Sequence, residues 1–160
     1  SGSGMVIGSH TYSSHGFNCG VALKIQEKII NQGLTKNIFE KGNLMGKKIN
    51  DYFADKHTIV GDVRGIGGFW TVEFVKDKKT KEVFDKKLDI GHKIQDLMFE
   101  KKINVMGMQG CVSNRTGEGD FILLAPSFVI TDEDVDEIVS RVIDGIESYE
   151  KILVENKEWA

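Results

Sequence analysis

Apolar residues recur at the spacing of an α-helix in four segments of this chain, and these segments predict its helices. The fourth segment is the clearest, because Thr131 and three following carboxylates suit a first helical turn, where free backbone N–H groups and the helix dipole favour oxygen atoms and negative charge. Its apolar face would contribute on the order of 10 kcal/mol on burial, which indicates a core surface rather than a ligand site. The predicted helices span residues 17–32, 35–54 with Thr35 as the cap, 89–101 and 132–149.

Shorter apolar runs between these segments predict strands. In the run 69–75 apolar and polar residues alternate, so one face of that strand is expected to be buried. The run 121–124 is apolar throughout and ends before Pro126, which cannot donate to a sheet ladder. The predicted strands are 59–63, 69–75, 103–106 and 121–124. The order of elements predicts an α/β domain in which a small sheet of about four short strands is covered by helices.

In the glycine-containing stretch 107–119 the apolar residues follow neither the spacing of a helix nor the alternation of a strand, which predicts a long loop. Irregular stretches of this length in a compact domain are usually functional or mobile. Within it lies Arg115, a lone arginine that can bind a carboxylate with two parallel hydrogen bonds. A solvated surface arginine is an equally good interpretation of these residues alone.

Length, charge and composition favour a single globular domain and argue against a nucleic-acid-binding, membrane or secreted protein. The 160 residues suffice for roughly one domain with its own core. A net charge of −3 without a basic stripe argues against nucleic-acid binding, and there is neither a membrane-length apolar run nor a secretory leader, so a cytoplasmic protein is expected. Residues 1–4, before Met5, read as an engineered leader, which suggests an excised piece of a longer protein.

Other candidate chemistry is weak. His10 and His15 lack a nearby cysteine or carboxylate at metal-ligand spacing, so no metal site is predicted. Cys19 and Cys111 lie in no nucleophile motif and form no disulfide framework. The glycine-rich segment 64–68 lacks the spacing of a dinucleotide fingerprint and precedes a strand rather than a helix.

Four segments, in the same order, resemble the C-terminal part of the class III aminotransferases, the ω-amino-acid branch of the pyridoxal-phosphate enzymes of fold type I. The first resembles the family's threonine-containing loop, the second its Val-Gly-Asp-Val-Arg-Gly-x-Gly turn, and the last its Asp-to-Thr segment around a proline. The resemblance spans residues 8–149, and the matching segments are 10–15, 60–67, 73–82 and 120–131.

The resemblance implies a role for two residues. Residues 5–16 would form a loop that reaches the cofactor site, with Thr11 contacting the cofactor phosphate of the neighbouring subunit in a homodimer. Residues 17–160 would be the small domain, with Arg115 binding the substrate carboxylate. The chain departs from the family pattern at Ser14, Gly16 and Ser127, and it carries about one extra residue between the arginine and the proline.

Transamination also needs a lysine that binds pyridoxal phosphate covalently and an acidic residue for its ring nitrogen. The family carries both in its large domain, and none of the 18 lysines here has a matching context. The resemblance therefore implies that no catalytic residue lies in this chain, that it is inactive alone, and that it does not hold the cofactor by itself. Its expected partners are the large domain, a second subunit and small substrates, an amino donor and a keto acid such as pyruvate. Alternatives are an aminomutase, racemase or decarboxylase on the same fold, or a non-catalytic binding or dimerisation module.

Overall fold

The structure, a computed structural model, describes residue 11, residues 13–110 and residues 118–159. The chain divides into two units, residues 1–35 and residues 36–160. Helix α1 belongs to the first unit, and helix α2 begins at the C-terminal end of that unit. The helices are α1 (Gly16–Asn31), α2 (Leu34–Phe53), α3 (Ile90–Glu100) and α4 (Asp132–Glu155), and a 3-10 turn covers Lys86–Leu88. The strands are β1 (Val60–Ile66), β2 (Phe69–Phe74), β3 (Met106–Gln109) and β4 (Asp120–Leu124).

The four strands form one antiparallel sheet in the order β1-β2-β4-β3. Strand β4 is therefore central, and it aligns Ile122 with Val72 on one side and with Gly107 on the other. Strands β1 and β2 form a hairpin whose turn contains Gly67 at a φ of 56°, in the left-handed region that glycine tolerates. The predicted small sheet covered by helices is confirmed.

The core lies between one face of this sheet and the helices of the second unit. Val72, Phe74 and Ile122 point from the sheet into this core and are fully buried. Met45 of α2, Met98 of α3 and Ile146 of α4 are among the fully buried helix residues of the same apolar cluster. Removal of these side chains from water supplies the main driving force for packing the helices on the sheet.

Helix α4 begins as the sequence predicts and ends later. The Thr131 hydroxyl accepts a hydrogen bond from the backbone N–H of Asp134, and the Asp134 carboxylate accepts one from the N–H of Thr131. The sequence predicts an end near residue 149 and leaves open whether the tail from residue 151 extends the helix; in the structure α4 continues to Glu155 and buries Leu153. Beyond it, the indole of Trp159 donates to the carbonyl of Lys76, which ties the tail to the domain.

Strand β3 starts at Met106, three residues later than predicted, and ends at Gln109. It therefore occupies the first three residues of the stretch 107–119 that was expected to be a loop. The reason is a close approach of two backbones: a Cβ atom at Gly107 would lie 2.1 Å from the carbonyl oxygen of Gly91 in α3. Only glycine permits this contact, and the N–H of Gly107 donates to the Gln95 side chain at 2.7 Å. Thr35 is also not a cap, because α2 already begins at Leu34.

Among the described residues, no helix is both long and apolar enough to span a membrane.

Candidate functional site

Thr11 lies in a turn of the first unit, shortly before α1, and its side chain is exposed. The loop ends at Ser14, which has a φ of 60°, and at His15, whose carbonyl accepts from Cys19 N–H in the first turn of α1. A left-handed conformation costs a residue other than glycine roughly 1–2 kcal/mol. Glycine, the residue at this position in the family pattern from which Ser14 departs, would avoid this cost. An exposed threonine hydroxyl has the chemistry to donate a hydrogen bond to a phosphate oxygen.

Arg115 lies outside the described residues, and so does Cys111. The two ends of the segment that contains Arg115 are described, and they belong to the β3–β4 hairpin. Gln109 and Asp120 are the last aligned pair of these strands, and the N–H of Gly110 donates to the carbonyl of Gly119 at 2.7 Å. The base of the hairpin is therefore fixed by backbone hydrogen bonds.

Asp120 anchors this hairpin base to helix α3. Its side chain is buried, and its Oδ1 atom accepts a hydrogen bond from the backbone N–H of Gly91 at 2.9 Å. Burial raises the pKa of the Asp120 carboxyl group above its usual range, although the hydrogen bond from Gly91 opposes this rise. Sequence reasoning included Asp120 only within the family segment. A single carboxylate at the start of an apolar strand is the signal that could have indicated a buried polar contact.

Arg64 is held on the sheet by two carboxylates. Its Nη1 atom donates to Asp62 at 2.8 Å and also to Glu73 on the neighbouring strand. The hydrogen bonds that Arg64 donates to Asp62 and Glu73 raise the pKa of Arg64. The guanidinium is therefore already paired within the sheet, which disfavours it as a second carboxylate-binding arginine.

The environments of the described lysines indicate whether one of them could react with pyridoxal phosphate. A lysine that attacks an aldehyde must lose its proton, which requires a lowered pKa. Lys56 and Lys76 instead have a raised pKa, because Lys56 contacts Tyr52 and Lys76 is hydrogen-bonded to Glu82. The Lys78 ammonium donates to the carbonyls of residues 53 and 54 at the end of α2. The environments of Lys56 and Lys76 thus stabilise their charged forms, whereas an exposed hydroxyl such as that of Thr11 has the chemistry for a contact to a phosphate oxygen.

Comparison with known proteins adds an independent observation. The family model described as Aminotransferase class-III matches residues 3–146. The chain is 34% identical to an uncharacterized aminotransferase, YodT, of Bacillus subtilis (strain 168) over 95% of this chain and 34% of that protein. It is also 34% identical to a diaminobutyrate–2-oxoglutarate transaminase of Halomonas elongata, over 82% of this chain and 26% of the relative.

A solved transaminase from the marine bacterium Virgibacillus has the same fold. It superposes with a TM-score of 0.82 at 25% identity, over 94% of this chain and 32% of the transaminase chain. The present chain thus spans about a third of the length of the proteins that it matches.

Proposed function

Since this chain belongs to the class-III aminotransferase family, we propose that it is the C-terminal small domain of a pyridoxal-phosphate-dependent aminotransferase. The observation that carries the proposal is the coverage: nearly the whole chain aligns with relatives of which it spans only a third. The family match confirms the resemblance that the four sequence segments indicate. The parent enzyme would move an amino group from an ω- or α-amino donor to a keto acid such as pyruvate.

Pyridoxal phosphate, when bound, supplies the electron-withdrawing ring through which an amino group is exchanged. In our proposal the cofactor that Thr11 contacts is bound by the other subunit of a homodimer. The Thr11 hydroxyl donates a hydrogen bond to a phosphate oxygen of that cofactor. The exposure of Thr11 in a short turn supports this role. A hydroxyl group is a suitable donor, since phosphate oxygens accept strong hydrogen bonds.

Arg115 would bind the substrate carboxylate and move aside for substrates that lack one. The β3–β4 hairpin supports this role, because the base of the hairpin is held by the Gly110–Gly119 hydrogen bond and by Asp120. The relative from Halomonas elongata is named for 2-oxoglutarate, which carries two carboxylates. An arginine near the substrate suits such acceptors by forming paired hydrogen bonds to a carboxylate.

We further propose that the 160-residue chain does not transaminate alone. The raised pKa of Lys56 and of Lys76 supports this, because neither environment favours the neutral amine that reaction with the cofactor aldehyde needs. The lysine that binds the cofactor would lie in the region of the parent that this chain does not include.

The experiment is to incubate the chain with pyridoxal phosphate, reduce with borohydride, and determine the intact mass and the modified residue. Free lysine in excess serves as the competitor that removes casual adducts. We expect no stoichiometric adduct that survives this competition. A competition-resistant adduct on a single lysine would show that the chain has its own cofactor site and would overturn the proposal of an inactive fragment.

A second candidate function is a different reaction on the same fold, such as that of an aminomutase, a racemase or a decarboxylase. Residues of the large domain would largely select among these reactions, so substrate profiling of the full-length parent separates them. Conversion of the donor amine to its carbonyl product, a keto acid from an α-amino donor or an aldehyde from a terminal ω-amino donor, in equal amount to the aminated acceptor, distinguishes transamination from all three. A non-catalytic module would bind no cofactor even in its full-length form.

A further inference from the structure

Asp120 caps helix α3 from a neighbouring strand. The first N–H groups of a helix have no partner within the helix, and the residue before the helix usually supplies an oxygen atom for them. Asp89 holds that place in α3 but makes no such bond, and its carboxylate lies 2.6 Å from Nδ1 of His92 instead. The buried N–H of Gly91 donates to Oδ1 of Asp120, which is only 1% exposed. The carboxylate of β4 thus takes the place of the N-cap side chain of α3.

The other strand of the β3–β4 hairpin is attached to the same corner of the chain. This corner, residues 86–91, contains the 3-10 turn and the start of α3 and is called here the clamp corner. The side-chain amide of Gln109 donates to the carbonyl of Lys86, whereas Asp120 accepts from Gly91. Gln109 is the last residue of β3, Asp120 is the first residue of β4, and the two are aligned with each other. Both strand ends at the hairpin base are therefore bound to one corner.

The two attachments differ in what their loss leaves behind. Removal of the Asp120 carboxylate leaves the buried N–H of Gly91 without an acceptor, whereas water can replace the bond from the half-buried Gln109. Asparagine at position 120 would keep an acceptor oxygen for Gly91 and would carry no charge. Burial already favours the uncharged form of Asp120, since it raises the pKa of this carboxyl group. We therefore expect the acceptor oxygen of Asp120, rather than its charge, to hold the hairpin base.

We propose that Asp120 is a positioning residue for binding of the substrate carboxylate. The chain leaves the sheet after Gln109 toward Arg115 and returns to the sheet at Asp120, so the clamp corner fixes where the segment with Arg115 begins and ends. A displacement of about 1 Å in a group that contacts substrate can cost about a hundredfold in rate. This inference rests on the proposed function, in which Arg115 binds that carboxylate.

Amide hydrogen exchange of the 160-residue chain tests the attachment itself. The reporter is the N–H of Gly110, which is bonded to the carbonyl of Gly119 at the hairpin base. We expect this N–H to exchange about tenfold faster in Asp120→Ala, because the base opens more often, and within about twofold of the wild-type rate in Asp120→Asn. Thr131→Ala is the matched control, since it removes the cap of a different helix, α4. Equal acceleration of Gly110 exchange in Thr131→Ala and Asp120→Ala would overturn the proposal.

Steady-state kinetics of the full-length parent test the role in substrate binding. Pyruvate is the substrate with a carboxylate, and a simple amine such as benzylamine is the donor without one. Asp120→Ala should raise the KM for pyruvate about tenfold, while kcat stays within about twofold and the KM for the amine is unchanged. Asp120→Asn should restore the wild-type KM for pyruvate. An equal rise in both KM values, or a loss confined to kcat, would indicate a structural role only and would overturn the proposal.

Gln109→Ala keeps the test decisive if Asp120→Ala does not fold, which fast exchange of the core amides would reveal. This variant removes only the half-buried attachment to the clamp corner. It should raise both the exchange rate of Gly110 and the KM for pyruvate about threefold. An unchanged KM for pyruvate in Gln109→Ala would then count against the proposal and overturn it.

The two measurements separate this inference from the proposed function. A parent without transaminase activity refutes the proposed function, and with it the role of Asp120 in substrate binding, even where Gly110 exchange accelerates. An active parent in which Asp120→Ala leaves the KM for pyruvate unchanged refutes the inference alone.

Discussion

Replacing Gly107 by alanine tests the close approach of α3 and β3. The new Cβ atom would lie 2.1 Å from the carbonyl oxygen of Gly91, whereas carbon and oxygen need roughly 3.2–3.5 Å, so the backbones would have to separate by about 1 Å. The contact is to backbone atoms, and no side-chain rotation relieves it. Overpacking of this kind costs about 1–3 kcal/mol.

Separation of α3 from β3 also weakens two hydrogen bonds. The first joins the N–H of Gly107 to Gln95, and the second joins the N–H of Gly91 to the buried carboxylate of Asp120. Loss of a neutral hydrogen bond costs about 1 kcal/mol, and loss of one to a buried carboxylate costs more. We therefore expect Gly107→Ala to lower the free energy of unfolding by about 3 kcal/mol.

The assay is urea unfolding of the 160-residue chain, followed by tryptophan fluorescence, since Trp70 and Trp159 both pack in the second unit. With a slope of about 2 kcal/mol per molar urea, the midpoint should fall by about 1.5 M. Gly20→Ala is the matched control, because a Cβ at Gly20 meets no atom within 4 Å. It should cause no loss of stability, and because Gly20 belongs to the first unit, the urea midpoint that Trp70 and Trp159 report for the second unit should stay unchanged. A change below about 0.5 kcal/mol in Gly107→Ala would refute the reasoning.

Four further predictions address other parts of the chain. Thr131→Ala removes the capping box of α4 and should cost about 1 kcal/mol in urea unfolding, whereas Ser140→Ala, on the exposed side of the same helix, should be neutral. Burial raises the pKa of Tyr149 from 10.0 to about 12. The folded state therefore holds this proton more tightly, and about 2 kcal/mol of stability should be lost as the pH rises from 10 to 12, a loss that is absent in Tyr149→Phe. In the full-length parent, Arg115→Ala should reduce kcat/KM for dicarboxylic or keto-acid partners more than for simple amines, and an equal loss for both would contradict a substrate role. Thr11→Val should weaken pyridoxal phosphate binding in the parent about fivefold to tenfold by equilibrium dialysis, while Thr11→Ser should not, and unchanged binding in Thr11→Val would argue against a phosphate contact.

Much of the fold follows from local patterns. The apolar spacing of 132–149 and the residues of the capping box identified α4, and the alternation in 69–75 identified β2 as a half-buried strand. Both signals lie within one element, so no knowledge of the partner segments is needed. The four family segments likewise identified the class III aminotransferase family. The roles of Thr11 and Arg115 stay predictions.

The sequence alone therefore determined the order and type of the elements, the family and the absence of a family-like context for a cofactor-binding lysine. The tertiary structure decided where β3 begins and how Asp120 joins the hairpin base to α3. Each of these depends on atoms far apart in the chain, such as the backbones of Gly91 and Gly107. Periodicity records which side of an element is apolar, but strand register and the partner of a surface are set by packing between elements.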